Sequence, residues 1–156
     1  MTLLLYVSPE NVWNRAQKRV SLDMQALRIS DAELDNHYDD WALPEYKSDL
    51  TSELNAENAL FAEFMADLKF AFGSYLTYDI ASDTFIVYIE VNDNNMMSET
   101  LASAVETYLE CRILAWWYTS RNGELAAFNA NKAQTTADKL FGFIIPRIGV
   151  AAPRYY

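Results

Sequence analysis

The feature that most restricts the fold of this chain is an eight-residue run, Cys111 to Tyr118, that is apolar at every position except Arg112. The surrounding sequence predicts a helix that Ser98 caps and that continues to about Arg121. A helix that is apolar on all sides has to be buried on all sides. Because a chain of 156 residues rarely encloses one of its helices completely, the run predicts contact with a neighbouring subunit.

The aromatic end of this run consists of Trp116, Trp117 and Tyr118. Neighbouring residues of a helix point about 100° apart, so the two indoles do not belong to one narrow face. We expect these three side chains to be divided between the core and a partner subunit, with the core alone as the alternative. Arg112 lies within the apolar stripe of the same helix, and if it is buried it needs a carboxylate or carbonyl partner.

Helix signals also mark the first half of the chain. Ser8 followed by Pro9 predicts a helix start, and Ser30-Asp31-Ala32-Glu33 has the form of a capping box that starts a second helix at about residue 31. Pro44 limits that second helix, and a further amphipathic piece is expected at Glu45–Leu54. Apolar residues at helical spacing predict another helix at Ala56–Phe72.

The second half of the chain changes character twice. Residues 75–91 are rich in β-branched and aromatic residues on both sides of a short polar loop, which predicts a β-hairpin. Asn122-Gly123 is a turn signal, and the Ala-rich residues 124–144 predict a last helix that packs closely and antiparallel to its predecessor. The predicted fold is mainly α: one helical domain over residues 1–146 with one inserted hairpin, a long C-terminal antiparallel helix pair, and an extended tail at residues 147–156.

Charge is distributed unevenly along the chain, whose net charge is −10. Residues 31–110 contain 18 acidic residues and two lysines and carry −16, whereas residues 1–30 carry +2 and residues 111–156 carry +4. Because phosphate binding needs clustered Lys and Arg, the acidic body argues against sequence-specific binding of nucleic acid. We expect no membrane segment and no signal peptide, and the single cysteine excludes an internal disulfide; these features indicate a protein of the cytosol.

The residues available for catalysis are few. The chain has one His and one Cys, and it contains no Gly-rich phosphate loop, no nucleophile elbow and no Cys or His pair at zinc spacing. Glu33 and His37 are four residues apart, and Asp31, Asp35 and Asp39 form an acidic stripe. Both patterns are typical of the solvated face of an amphipathic helix, so we predict no catalytic residue, no metal site and no cofactor.

The C-terminal tail combines the residue types that are enriched in interface hot spots. Arg147 opens it and Pro153, Arg154, Tyr155 and Tyr156 end it. We predict that these residues bind a partner protein, with a disordered end as the alternative.

The order of these elements resembles the head-to-tail connector, or neck, proteins of tailed bacteriophages. The resemblance rests on the capped helix at Ser30–Asp35, the aromatic-rich helix at Tyr108–Tyr118, the turn after it, the Ala-rich helix at 124–144 and the extended tail. The chain also resembles small structural proteins of phages that infect Bacteroidales, including the crAss-like group. Its tail is less basic than the tails typical of the family.

This resemblance implies a structural virion protein of the neck, assembled in the host cytoplasm. Such adaptors form homo-oligomeric rings, commonly of twelve copies, that connect the portal protein to neighbouring neck or tail proteins and let DNA pass through the bore. The tail, Arg147 to Tyr156, would insert into the portal. A small acidic helical module that binds a basic partner is the alternative function, and an enzyme that uses Glu33, His37 or Asp39 is the third.

Overall fold

A computed structural model describes residues 2–30, 42–44, 56–81, 83–91 and 98–144. The helices in this part of the chain are α1 (Pro9–Ser30), α2 (Ala56–Phe72), α3 (Ser98–Tyr118) and α4 (Gly123–Ile144). The strands are β1 (Thr2–Val7), β2 (Leu76–Ala81) and β3 (Thr84–Glu90). The predicted mainly α fold with an inserted hairpin is confirmed.

The hairpin belongs to a larger sheet than the sequence predicted. β2 and β3 pair as expected, but β1 also pairs with β3, and the strand order is β1-β3-β2 with both neighbours antiparallel to β3. Thr2 lies opposite Glu90 and Val7 lies opposite Phe85. One face of the sheet packs on the helices through buried side chains, which are Leu5, Val7, Leu76, Phe85, Val87 and Ile89.

Helix α3 is the centre of the molecule. It packs along α4 and also contacts α1, α2 and β1. Its buried residues are Leu101, Val105, Tyr108, Leu109, Cys111, Ile113, Leu114, Trp117 and Tyr118. The prediction that a neighbouring subunit is needed to bury the run Cys111 to Tyr118 is therefore wrong for most of the run. Elements drawn from both ends of the chain surround α3, and Trp116 is the exposed exception.

Helix α1 begins at Pro9, as predicted, and continues to Ser30, the residue that was expected to cap the next helix. Two side chains in the first half of α1 bind the Pro44 carbonyl oxygen. The Trp13 indole N–H donates to it at 2.7 Å, and the Gln17 side-chain amide donates to it at 2.8 Å. These bonds fix the backbone at Pro44 against α1. The predicted second helix from residue 31, the piece at Glu45–Leu54 and the tail at 147–156 lie outside the described residues.

Two turns, one between α2 and the sheet and one between α3 and α4, contain residues typical of helix ends. Helix α2 ends at Phe72, and Gly73 adopts a left-handed φ of 58°, which glycine tolerates because it has no Cβ. Asn122 caps α4, since its side-chain oxygen accepts from the backbone N–H groups of Glu124 and Leu125 at 3.1 Å each. The predicted end of α2 at Phe72 is confirmed, and α4 begins at Gly123, one residue before its predicted start.

Candidate functional site

Helices α2 and α4 lie on two sides of α3 and leave an apolar groove between them. We call it the α3 groove, and its main part has a volume of about 690 Å³. Its floor is formed by Tyr108, Arg112 and Ala115 of α3. Its walls are Asp67, Leu68, Phe70 and Ala71 of α2 and Ala130, Ala133, Gln134 and Ala137 of α4.

The groove exists because α4 presents small side chains to it. Ala130, Ala133 and Ala137 are spaced so that they share one face of the helix, and all three line the groove with side chains of a single methyl group. One turn beyond Ala137, Phe141 does cross the gap and stacks on Phe72 with ring centres 5.5 Å apart. The same helix pair is therefore closed by aromatic rings at one end and open where alanines replace them.

A shallower depression of about 390 Å³ continues the groove toward the end of α3. It shares Arg112, Ala115 and Ala130 with the main part and adds Phe64 and Trp116 to the lining. The α3 groove thus runs from Phe70 at one end to Trp116 at the other, with Arg112 between them.

Arg112 is held in place from three directions. One guanidinium nitrogen donates to the Tyr108 hydroxyl at 2.7 Å, and the other donates to an Asp67 carboxylate oxygen at 2.8 Å. The guanidinium carbon also lies 4.5 Å from the centre of the Phe64 ring. The sequence predicted that Arg112 needs a carboxylate partner if it is buried, and the half-buried side chain has one in Asp67.

The environment of the groove raises the pKa values of both Tyr108 and Arg112. Burial, partly opposed by the charge of Arg112, raises the pKa of the Tyr108 hydroxyl. Burial by itself would lower the pKa of Arg112, but Tyr108 and Asp67 outweigh it and raise that pKa above its usual value. The groove therefore contains a neutral hydroxyl and a permanently charged guanidinium that already has an anionic partner.

Two exposed aromatic side chains border the groove. Phe70 is 88% exposed and Trp116 is 43% exposed. Phe70 was missed by sequence reasoning, which gave it no role. The available signal was that an apolar aromatic residue occupies the solvent side of an otherwise amphipathic helix.

The three aromatic residues predicted to bind a partner are separated by the structure. Trp116 is on the surface, but Trp117 is only 9% exposed and Tyr118 is fully buried. The Arg121 guanidinium lies 3.5 Å over the Trp117 ring and donates to the Trp117 carbonyl oxygen at 2.8 Å. Trp117 and Tyr118 are therefore core residues of this chain and Trp116 is exposed, while partner contact by the three residues stays a prediction.

The other residues singled out in the sequence lie outside the described residues. They are the partner-binding tail residues Arg147, Pro153, Arg154, Tyr155 and Tyr156, and the acidic or histidine positions Asp31, Glu33, Asp35, His37 and Asp39. Their predicted roles stay predictions.

Basic residues from the two ends of the sequence form ion pairs with acidic residues of the central block, residues 31–110. Arg15, from the basic first block, pairs with Glu106 at 3.1 Å and with Glu110 at 2.8 Å. Arg112, from the basic last block, pairs with Asp67 at 2.8 Å. Bases from both ends of the chain therefore fold onto acids of the body and neutralise part of its charge locally.

Neither a metal-binding cluster nor an exposed thiol is found among the described residues. Among them, no group of three or more His, Cys, Asp or Glu side chains is arranged to hold a metal ion. Cys111 of α3 is buried, and burial raises the pKa of its thiol. No helix in the same ranges is both long and apolar enough to cross a membrane.

Comparisons with known proteins identify no relative of this chain. Neither a protein-family model, nor a curated protein sequence, nor a solved structure matches the chain.

Proposed function

We propose that this chain is a structural subunit of an oligomeric ring in the neck of a tailed phage, where it connects the portal to the tail and lets DNA pass through the bore. The observation that carries the proposal is the α3 groove with Phe70 and Trp116 at its borders. Exposed aromatic side chains around an apolar groove are typical of protein interaction sites.

The groove suits an apolar segment of a neighbouring virion protein. Ala130 is exposed on the α4 side of the groove and leaves room for a helix or an extended strand, and Phe70 and Trp116 provide exposed rings that such a segment covers. Arg112 is already paired with Asp67, so an incoming segment does not need to supply a charge to it. A partner segment therefore gains its binding energy from apolar burial.

The order of elements favours the phage setting over other assemblies. An aromatic-rich helix, a turn at Asn122 and an Ala-rich helix precede a tail that contains Arg147, Arg154 and two terminal tyrosines. In this proposal the tail docks into the portal. The excess of acidic residues in the body repels DNA phosphates and keeps the passing genome from adhering.

The size of the assembled protein tests the proposal. Light scattering and negative-stain imaging of the full chain, alone and co-expressed with the portal protein of the same phage, are expected to show a closed oligomer. Monomers under both conditions contradict a ring subunit.

Removal of residues 147–156 tests the role of the tail separately. The truncated chain is expected to keep its helical circular dichroism signal and lose its attachment to the portal. The matched control replaces Lys139, a solvent-exposed base on α4, by alanine and is expected to leave attachment unchanged. Attachment that survives truncation rules out the tail as the anchor.

The same groove and the net charge of −10 favour a second candidate, a small acidic module that masks a basic partner protein. Such a module stays a monomer or dimer and captures one basic protein in a pull-down experiment. Size and partner charge together distinguish it from a ring subunit.

A further inference from the structure

The sheet has two outer strands, β1 and β2. Because the order is β1-β3-β2, each of them pairs on one side only in the part of the chain that the structure describes. Within the described residues, the backbone of both edge strands forms its ladder with β3, and no other backbone hydrogen bond reaches either of them. Each edge therefore presents a row of N–H and C=O groups that another strand can pair with.

The sequence of strand β1 itself contains none of the residues that normally protect an edge. Its sequence, Thr2 to Val7, contains no charge, no proline and no glycine. On the face turned away from the helices, Leu4 is exposed and Tyr6 is 63% exposed. Leu4 lies opposite Tyr88 and Tyr6 lies opposite Ile86, so this apolar surface continues onto β3.

Strand β2 has the shape needed to extend β1. Both strands have six residues, and both alternate between a helix-facing and an outward side. Leu76 and Tyr78 point toward the helices, and Thr77 and Asp79 point outward. Since β1 and β2 are both antiparallel to β3, they run in the same direction. When the β1 edge of one copy lies beside the β2 edge of another copy, the two strands can therefore pair in parallel. In this arrangement the helices of both copies lie on the same side of the joined sheet.

We propose that copies of this chain associate by pairing the β1 edge of one copy with the β2 edge of the next, which makes one continuous sheet. This arrangement occupies both edges of every copy. Pairing of β1 with a second β1 leaves every β2 edge open. Because the two joined surfaces differ, the contact is head-to-tail, and such contacts close into rings when the rotation between copies allows it. The inference names the ring contact and in that respect rests on the proposed function.

Cysteine cross-linking tests the contact directly. Leu4→Cys and Thr77→Cys place thiols on the outward face of the two edges, and neighbouring strands lie about 4.8 Å apart. The native Cys111 is buried, so it is expected not to react with the cross-linker in the folded protein. With a short bis-maleimide, the double variant is expected to give a ladder of dimers, trimers and larger species. Each single variant alone gives none, and a mixture of the two single variants assembled together gives dimers only.

The outcomes separate the edge contact from the ring. If the single variant Leu4→Cys forms cross-linked dimers, β1 pairs with the β1 of another copy, and the proposal is overturned. Oligomers by light scattering without cross-linking of the double variant overturn the edge contact and leave the ring in place. Monomers throughout overturn both.

An edge charge supplies an independent measurement. Leu4→Lys is expected to shift the protein from oligomer to monomer, because a charge on an edge strand opposes strand addition. The matched control is Leu22→Lys, a 61% exposed leucine on α1, which is expected to leave the oligomer intact. Equal effects of the two variants overturn the proposal.

Discussion

Tyr118, the last residue of α3, donates its hydroxyl to a carboxylate oxygen of Asp23 on α1 at 2.8 Å. The tyrosine is fully buried, whereas the Asp23 side chain keeps some contact with solvent. Arg19, one turn earlier on α1, lies 4.0 Å from the other carboxylate oxygen. The bond supplies the acceptor that a buried hydroxyl needs and fixes the end of the central helix against α1.

Tyr118→Phe removes this bond and keeps the packing of the ring. The free energy of unfolding is expected to fall by about 1–2 kcal/mol, because a hydrogen bond to a charged acceptor is lost and the carboxylate loses a donor. Urea denaturation measures the change. Tyr6→Phe, at an exposed position of β1, is the control and is expected to leave the midpoint unchanged. Equal midpoints for the two variants contradict the assigned role.

The same hydroxyl makes stability depend on alkaline pH. Burial, followed by the hydrogen bond to Asp23, raises the pKa of Tyr118 above its ordinary value. In the unfolded chain a tyrosine titrates near pH ~10, so above that pH the unfolded state releases a proton that the folded state keeps. The free energy of unfolding therefore falls as pH rises through that range.

Tyr118→Phe lacks this proton and isolates its effect from those of other groups that titrate at high pH. Urea midpoints measured from about pH 8 to about pH 11 are expected to decline less steeply for Tyr118→Phe than for the natural chain. Parallel declines would falsify the assignment.

Arg112 is expected to matter more through packing than through its ion pair. Asp67 is half-exposed, so Asp67→Asn is expected to lower the free energy of unfolding by less than about 1 kcal/mol, and added salt reduces that effect. Arg112→Ala also removes the contact with Phe64 and the donor to Tyr108, and a loss of about 2 kcal/mol is expected. Thermal unfolding at two salt concentrations compares them. An equal loss in both variants shows that the charge pair dominates.

Local signals carried most of what the sequence predicted correctly. The caps and periodicity defined α2, α3 and α4, and the β-branched residues on either side of a polar loop defined the hairpin. The pairing of β1 with β3 was missed because the paired residues are distant in the sequence. Val7, for example, lies opposite Phe85. An apolar run of six residues does not specify which distant strand it pairs with.

Burial of α3 was misjudged for a related reason. The size argument treated the chain as too small to surround a helix, but α1, α4 and β1 converge on it from both ends of the sequence. The need of Arg112 for a carboxylate followed from the energy of a buried charge, whereas its identity as Asp67 depends on how α2 packs against α3. The α3 groove could not be predicted from the sequence, because it depends on how α2 and α4 are placed around α3.

The adjacent residues Trp116 and Trp117 provide matched tests of surface and core. Trp117→Ala is expected to lower the free energy of unfolding by about 3 kcal/mol or more, because it empties a buried site and removes the ring beneath Arg121. Trp116→Ala is expected to change stability by less than about 1 kcal/mol, since the side chain is partly in solvent.

Binding of a partner is expected to respond in the opposite order. Trp116→Ala removes a ring at the border of the α3 groove, so it is expected to weaken attachment of the neighbouring protein while the helical signal is unchanged. Urea denaturation and co-purification of the partner, performed on both variants, give the two readouts. If Trp116→Ala binds its partner as well as the natural chain does, the end of the groove at Trp116 is not part of the interface, and the contact must be sought at Phe70.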